Sequence, residues 1–166
     1  PAIVEMLAKC QVSPKQLTGV GIALGPGSFT GLRIGLSAAK GLALGRNIPI
    51  AGVPSLEVLV ASQPGLRRPM IAFLEVGRGR FAWARFRYKN PRWGQITETQ
   101  VDDIKTIAAT ITSPVYVVGE MGASERQIMG RKWKTSRLAP ASACLRRPSV
   151  LAELAWDKLQ VGHADD

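Results

Sequence analysis

With 166 residues, 46% of them hydrophobic and 20% charged, the chain has the composition of a packed globular protein and the length of one domain, which excludes a disordered chain and two full domains alike. No apolar run approaches the ~18 residues that span a bilayer, and one histidine with two distant cysteines supplies no catalytic zinc site, no Ser-His-Asp or Cys-His arrangement and no disulfide framework. The formal net charge of +10 is unevenly placed: residues 67–92 hold eight basic residues against Glu75 alone, and residues 126–147 hold seven against none, which is either a field for a polyanion or a solubilising surface.

The sequence opens on Pro1, and Ile3, Met6, Leu7 and Cys10 fall at helical spacing, so it is expected to begin inside an element. Residues 18–24 (TGVGIAL) read as a short buried strand. GPGSFTG follows directly and opens a helical pattern over residues 29–44, with Gly45 as its stop. Residues 48–53 read as a second short strand, and Ser55 is placed to cap a helix running to Ser62. Cys10 and Cys144 read as two ordinary buried thiols.

In the second half, MIAFLEV, Gly77-Arg78-Gly79 and RFAWARFRYK read as a hairpin in which Phe81, Trp83, Arg85, Arg87 and Lys89 share one face. Asn90-Pro91 turns the chain, residues 95–101 read as a third strand, and Asp102 as the cap of a helix through Ile104, Ile107 and Ile111. Residues 115–118 return as a strand and residues 133–138 as another. Ser149 is placed to cap a last amphipathic helix that carries Val150, Leu151, Leu154, Ala155, Lys158 and Leu159. Alternating strands and helices predict a layered α/β fold, with the Pro-Gly stretch 63–69 dividing a first lobe, 1–64, from a second, 65–166.

The informative stretch is Gly25-Pro26-Gly27-Ser28-Phe29-Thr30-Gly31-Leu32-Arg33-Ile34-Gly35. A Gly-rich turn opening a helix presents free N–H groups and the positive end of the helix dipole, so Gly25, Gly27 and Ser28 are either an anion cradle or a turn shaped for packing. A P-loop would need a lysine where Leu32 stands. The helix beyond holds Gly31, Gly35, Gly41 and Gly45 with Ser37, Ala38 and Ala39 between, although each interior glycine costs about 1 kcal/mol. Close approach of a sheet or of a partner helix offsets that cost.

The run GPGSFTGLRIGLSAAKGLALGRNIPIAGVPSLEVL resembles the signature region of the bacterial TsaB (YeaZ) family, and the similarity runs more weakly from Pro1 into the last helix. The resemblance implies the ribonuclease H-like, actin-like ATPase fold of the sugar kinase–actin superfamily, in two lobes, the first incomplete. The family opens with a strand bearing an Asp-Thr-Ser type phosphate motif, then two more strands and the start of a helix. Its second lobe usually opens on an Asp-Ala-Arg type run where this chain has Glu75-Val76-Gly77, and it continues past an acidic stretch like Asp165-Asp166 to a Pro-x-Tyr-Leu-Arg segment. Both ends are therefore expected to be clipped.

The resemblance also implies a function. It is that of a non-catalytic, cytoplasmic subunit of the complex that forms threonylcarbamoyladenosine on transfer RNA, next to the anticodon. No catalytic residue, metal or cofactor is expected on this chain; ATP and metal are expected on partner subunits. Those partners are a TsaD-like catalytic paralogue and a TsaE-like ATPase, with transfer RNA reached through the complex and a homodimer as the alternative pairing. Gly25, Gly27 and Ser28 match the family's turn, and Phe29, Leu32, Arg33, Leu36, Ala39 and Lys40 its partner-facing helix, to which the small-residue pattern adds Gly35. Two competing functions remain: a degenerate ATPase or glycopeptidase-like enzyme, and a stand-alone RNA-binding module resting on Arg85, Arg87 and Lys89 beside strand aromatics that also suit a core.

Overall fold

Residues too small to fill space decide how the first half of the chain packs. The computed structural model describes residues 2–132 and 134–165. After α1 (Ala2–Lys9), β1 (Val20–Ala23) and β2 (Ile50–Val53) run parallel with Val20 opposite Ile50, joined through α2 (Phe29–Arg46). Neighbouring residues of β1 point to opposite faces, so Ile22 meets α2 while Gly21 meets α6 (Pro148–Gln160). A Cβ at Gly21 would stand 2.6 Å from the Cβ of Ala155, and one at Gly19 2.5 Å from Leu159 Cδ1. Absent side chains let α6 lie close, and Ala51, Val53, Val58 and Ala155 form a small core there with Leu151 and Leu154 packed against it.

The larger sheet holds β3 (Met70–Gly77), β4 (Arg80–Lys89), β5 (Arg92–Gln95), β6 (Gln100–Asp103), β7 (Val115–Gly119) and β8 (Ser136–Leu138) in the order β5-β4-β3-β7-β8, with β6 also pairing β4. β3 and β4 are antiparallel with Phe73 opposite Trp83, whereas β7 lies parallel to both β3 and β8. Arg78 and Gly79 adopt φ of +55° and +67°, the left-handed conformation a tight hairpin turn requires. Helices cover both faces, which is why MIAFL reads as an unbroken apolar run. On one face α3 (Ser55–Ala61) sets Leu56 and Leu59 on Met70, Leu74 and Phe86. On the other, α4 (Ile104–Ala109) and α5 (Ala123–Gly130) bring Ile107 and Met129 to Phe73, Phe81 and Trp83.

Several expectations shift, each for a local reason. α2 runs through Gly45 and stops at Asn47, whose φ of 52° is a left-handed cap that asparagine tolerates. The cap of α4 is Asp103, which accepts from the Lys105 and Thr106 N–H groups; Asp102 instead accepts from Trp83 Nε1 at 2.9 Å. Residues 95–101 are not one strand, because Thr97 Oγ1 takes the Arg85 N–H and holds the segment out between β5 and β6. Ser55 and Ser149 lie inside the first turns of α3 and α6, behind Pro54 and Arg147. Cys10 is exposed and only Cys144 is buried. The strand read over residues 133–138 covers 136–138, Trp133 lying outside the described residues, and α5 has no counterpart in the sequence reading.

The last helix, grouped by sequence with residues 65–166, packs on β1 and β2. Asp165 then follows β2: its N–H donates to the Ile50 carbonyl at 2.8 Å and its carboxylate accepts from the Gly52 N–H at 2.6 Å. Among the described residues no helix is long and apolar enough to cross a membrane.

Candidate functional site

Backbone geometry shapes the turn between β1 and α2. Gly25 is buried at φ +94°, a conformation L side chains rarely adopt, and its carbonyl accepts from the Ser55 N–H at 2.7 Å, which ties the turn to α3. Ser28 caps α2, its Oγ accepting from the Gly31 N–H at 3.3 Å and its carbonyl from Leu32 at 2.9 Å. Leu32 closes the turn from the helix side, since its Cδ1 would lie 2.9 Å from a Cβ at Gly25. Opposite, Arg146 Nη1 lies 3.6 Å from where a Gly27 Cβ would stand, and its Nη2 is paired with Glu120 Oε1 at 2.6 Å. Sequence reading missed Arg146 because nothing local connects it to the glycines.

The faces of α2 differ sharply. Of its 18 residues only Ala39 and Ala43 are buried. Gly35 faces β1, where a Cβ would meet Ile22 Cδ1 at 3.4 Å, so Gly35, Ala39 and, through the turn, Leu32 are turned to the chain's own structure. Ala39 is buried and Leu32 and Gly35 are half-buried, so glycine and alanine here let the helix approach its own sheet. Phe29, Arg33, Leu36 and Lys40, three or four residues apart, form an adjoining exposed stripe. Phe29 is 73% exposed with the Arg33 guanidinium 5.3 Å from its ring centroid, and Leu44 continues the apolar surface at 83% exposure. Ile34 is exposed too, and a Cβ at Gly41 or Gly45 would meet nothing within 4 Å.

The three basic residues of β4 do not act alike. Arg85 is half-buried and its Nη2 donates to the Thr110 carbonyl at 2.7 Å, so it serves the end of α4. That contact corrects its assignment to a free RNA-binding face. Arg87 and Lys89 are exposed beyond the cover of the helices, opposite Gly94 and Arg92 of β5. Trp83 and Phe86 are core residues, while Tyr88 is half-buried against Trp93.

Among the described residues no group of three or more His, Cys, Asp or Glu is placed to hold a metal ion. Tyr116, its phenol pushed above the ordinary range by burial, lies in the core and faces none of these surfaces. The arrangement offers an apolar helix stripe edged with two cations and a basic strand end.

A family model described as TsaD: tRNA N6-adenosine threonylcarbamoyltransferase matches residues 1–136. The chain is 31% identical over 162 residues to the tRNA threonylcarbamoyladenosine biosynthesis protein TsaB of Bacillus subtilis, covering 95% of this chain and 71% of that protein. Against the Escherichia coli protein of the same name the identity is 34% over 103 residues, 59% of this chain and 44% of that protein. Among solved structures, YeaZ from Pseudomonas aeruginosa superposes with a TM-score of 0.74 at 19% identity, over 99% of this chain and 77% of that one. A second, described as an uncharacterized protein with similarity to peptidase YEAZ from Pseudomonas aeruginosa, gives 0.75 at 18% identity over 98% and 76%. The chain shares the α/β, actin-like and ribonuclease H-like fold of these structures.

Proposed function

We propose, since the chain belongs to the TsaB (YeaZ) family and to the wider family that the TsaD model describes, that it serves tRNA threonylcarbamoyladenosine biosynthesis as an accessory subunit paired with a TsaD-like catalytic subunit. The observation that carries this reading is α2: 18 residues that bury two alanines and leave Phe29, Ile34, Leu36 and Leu44 exposed. A contiguous apolar surface of that kind suits a protein interface. Phe29, Arg33, Leu36 and Lys40 are the residues assigned to the partner, with a second copy of the chain as the alternative occupant.

Arg87 and Lys89 are assigned to a salt-sensitive contact with transfer RNA inside the assembly, because neutralising phosphates releases counterions. The division at 64/65 is retained for the two sheets, with α6 returning from the second to the first. A TsaE-like ATPase and a cytoplasmic location belong to the same reading. The absence of chemistry on this chain is part of that reading too.

The test mixes the chain with the TsaD of its own organism and follows association by calorimetry, then adds substrate transfer RNA, the TsaE-like ATPase with ATP, and threonylcarbamoyl-adenylate as the donor of the transferred group. Expected are a stoichiometric complex, at least tenfold weaker binding for Phe29→Asp combined with Leu36→Asp, and modification only when TsaD is present. Unchanged affinity in the double variant removes α2 from the interface. Turnover by the purified chain alone overturns the accessory role.

A further inference from the structure

Charge is sorted along the strands of the larger sheet. The Tyr116 N–H donates to the Pro69 carbonyl at 2.9 Å and the Val115 N–H to the Thr135 carbonyl at 2.8 Å, so β3, β7 and β8 enter the sheet level with one another. β4 runs the other way, Phe86 opposite Met70, and leaves the sheet at that same end before the chain turns through Asn90-Pro91 into β5. Segments 62–69, 86–92, 110–114 and 131–137, far apart in sequence, are thereby gathered at one end. None of the four holds an Asp or a Glu. Glu75 and Asp102, both opposite Phe81, stand towards the other end with Asp103 and Glu120, and Glu98 lies in the loop between β5 and β6.

The cations gathered there include Arg67 and Arg68 before β3, Arg87 and Lys89 at the end of β4, and Arg131 and Arg137 on either side of the start of β8. All six are exposed, and among the described residues none makes a side-chain hydrogen bond or an ion pair. Arg80, Arg85, Arg92 and Arg126, by contrast, each donate to a carbonyl or carboxylate of the chain. Guanidinium forks with unspent donors fit phosphate oxygens, which they engage two at a time.

Shape and surroundings select the occupant. Strands lie ~4.8 Å apart, so the row from β8 to β4 extends about 14 Å, a line of charge rather than a pocket for one anion. Among the described residues of the four segments no large hydrophobic side chain is exposed, unlike α2 with Phe29 and Leu44. A protein interface is built around an apolar core, which this end does not offer. A phosphodiester backbone asks only for cations in a row.

We propose, resting on the transfer RNA contact given above to Arg87 and Lys89, that this end of the larger sheet is one continuous track for an RNA backbone. Both basic runs of the sequence build it together, and it reaches from β4 across β3 and β7 to β8. On the side of α6 it ends where Asp157 takes the Arg92 guanidinium. The track positions RNA without reading its sequence, because phosphates carry no base information.

Binding of a labelled transfer RNA transcript to the whole chain is followed by fluorescence anisotropy over a range of salt. The wild type is compared with three double variants: Arg67→Gln with Arg68→Gln, Arg87→Gln with Lys89→Gln, and Arg131→Gln with Arg137→Gln. Each is expected to bind about tenfold more weakly at low salt and to lower the salt slope by about one per contact removed, at unchanged thermal unfolding. A loss confined to the Arg87 and Lys89 pair keeps the contact assigned to that strand end and overturns the track. Full affinity in all three pairs overturns both, and no binding by the wild-type chain overturns the track. Because α3, α4 and α5 all end at this side, an unchanged salt slope with a lowered melting temperature assigns the cations to the helix ends and overturns the proposal. Poly-L-glutamate competing as well as unlabelled transcript at equal charge assigns the surface to acidic polypeptides and likewise overturns it.

Discussion

The Arg85 guanidinium donates to the Thr110 carbonyl across 2.7 Å, and Thr110 closes the C-terminal end of α4. A cation there satisfies a carbonyl that the helix leaves free and meets the negative end of its dipole. Arg85→Met is therefore expected to destabilise the chain by about 1–3 kcal/mol, the range for a hydrogen bond to a charged group and its orphaned partner. Charge reversal at Arg87 and Lys89 is expected to leave thermal unfolding unchanged and to lower transfer RNA affinity of the complex at low salt. Denaturant unfolding of the three variants, with salt-dependent binding of the last two, checks both halves.

Gly21 and Ala155 offer a second test. A methyl group at Gly21 would lie 2.6 Å from the Ala155 Cβ, a separation that real side chains do not tolerate. Gly21→Ala is expected to cost about 1–3 kcal/mol by overpacking β1 against α6. For a chain of this size each kcal/mol lowers the melting temperature by about 2–4 °C. Ala155→Gly in the same molecule should recover most of the loss, and a double-mutant cycle by calorimetric melting measures it.

Two glycines of α2 should respond in opposite directions. Gly35 faces Ile22 at 3.4 Å, so Gly35→Leu is expected to lower stability by about 1–3 kcal/mol. Gly41 meets open space, and Gly41→Ala should raise stability by up to about 1 kcal/mol through helix propensity alone. Equal loss in both variants would mean that α2 is turned differently about its axis.

Asp103 predicts a pH dependence. The Thr106 N–H and hydroxyl, with the Lys105 N–H, hold its carboxyl below the ordinary value of 3.8. A depressed pKa contributes stability that is present above the unfolded value and lost as the pH falls through the folded one. Asp103→Asn keeps a capping oxygen and removes the titration. The stability difference between wild type and this variant is expected to shrink as urea titrations descend from pH ~5 towards pH ~2. A difference that stays constant over that range would detach the cap from its charge.

What the sequence by itself determined was local. The glycines at 25 and 27 marked a turn, Phe29 began a helix, and Gly77-Arg78-Gly79 closed a hairpin, because each depends on backbone freedom and period within a few residues. The composition of GPGSFTGLRIG was enough to point to the family that the comparisons then identified. Tertiary structure decided which side of α2 faces inward: small residues and apolar residues both lie on more than one side of that helix, so its pattern does not say which is buried, and the burial of Ala39 and Ala43 with the approach of Gly35 to Ile22 orients it. It also decided that Arg85 answers to Thr110, that α6 crosses back to β1, and that Arg67, Arg87 and Arg131 meet at one end of the larger sheet. The physical reason is the same in each case. Spacing records what a residue does within its own element, whereas a partner many residues away is chosen when elements pack, by the shape and unpaired polar groups they bring to the same place.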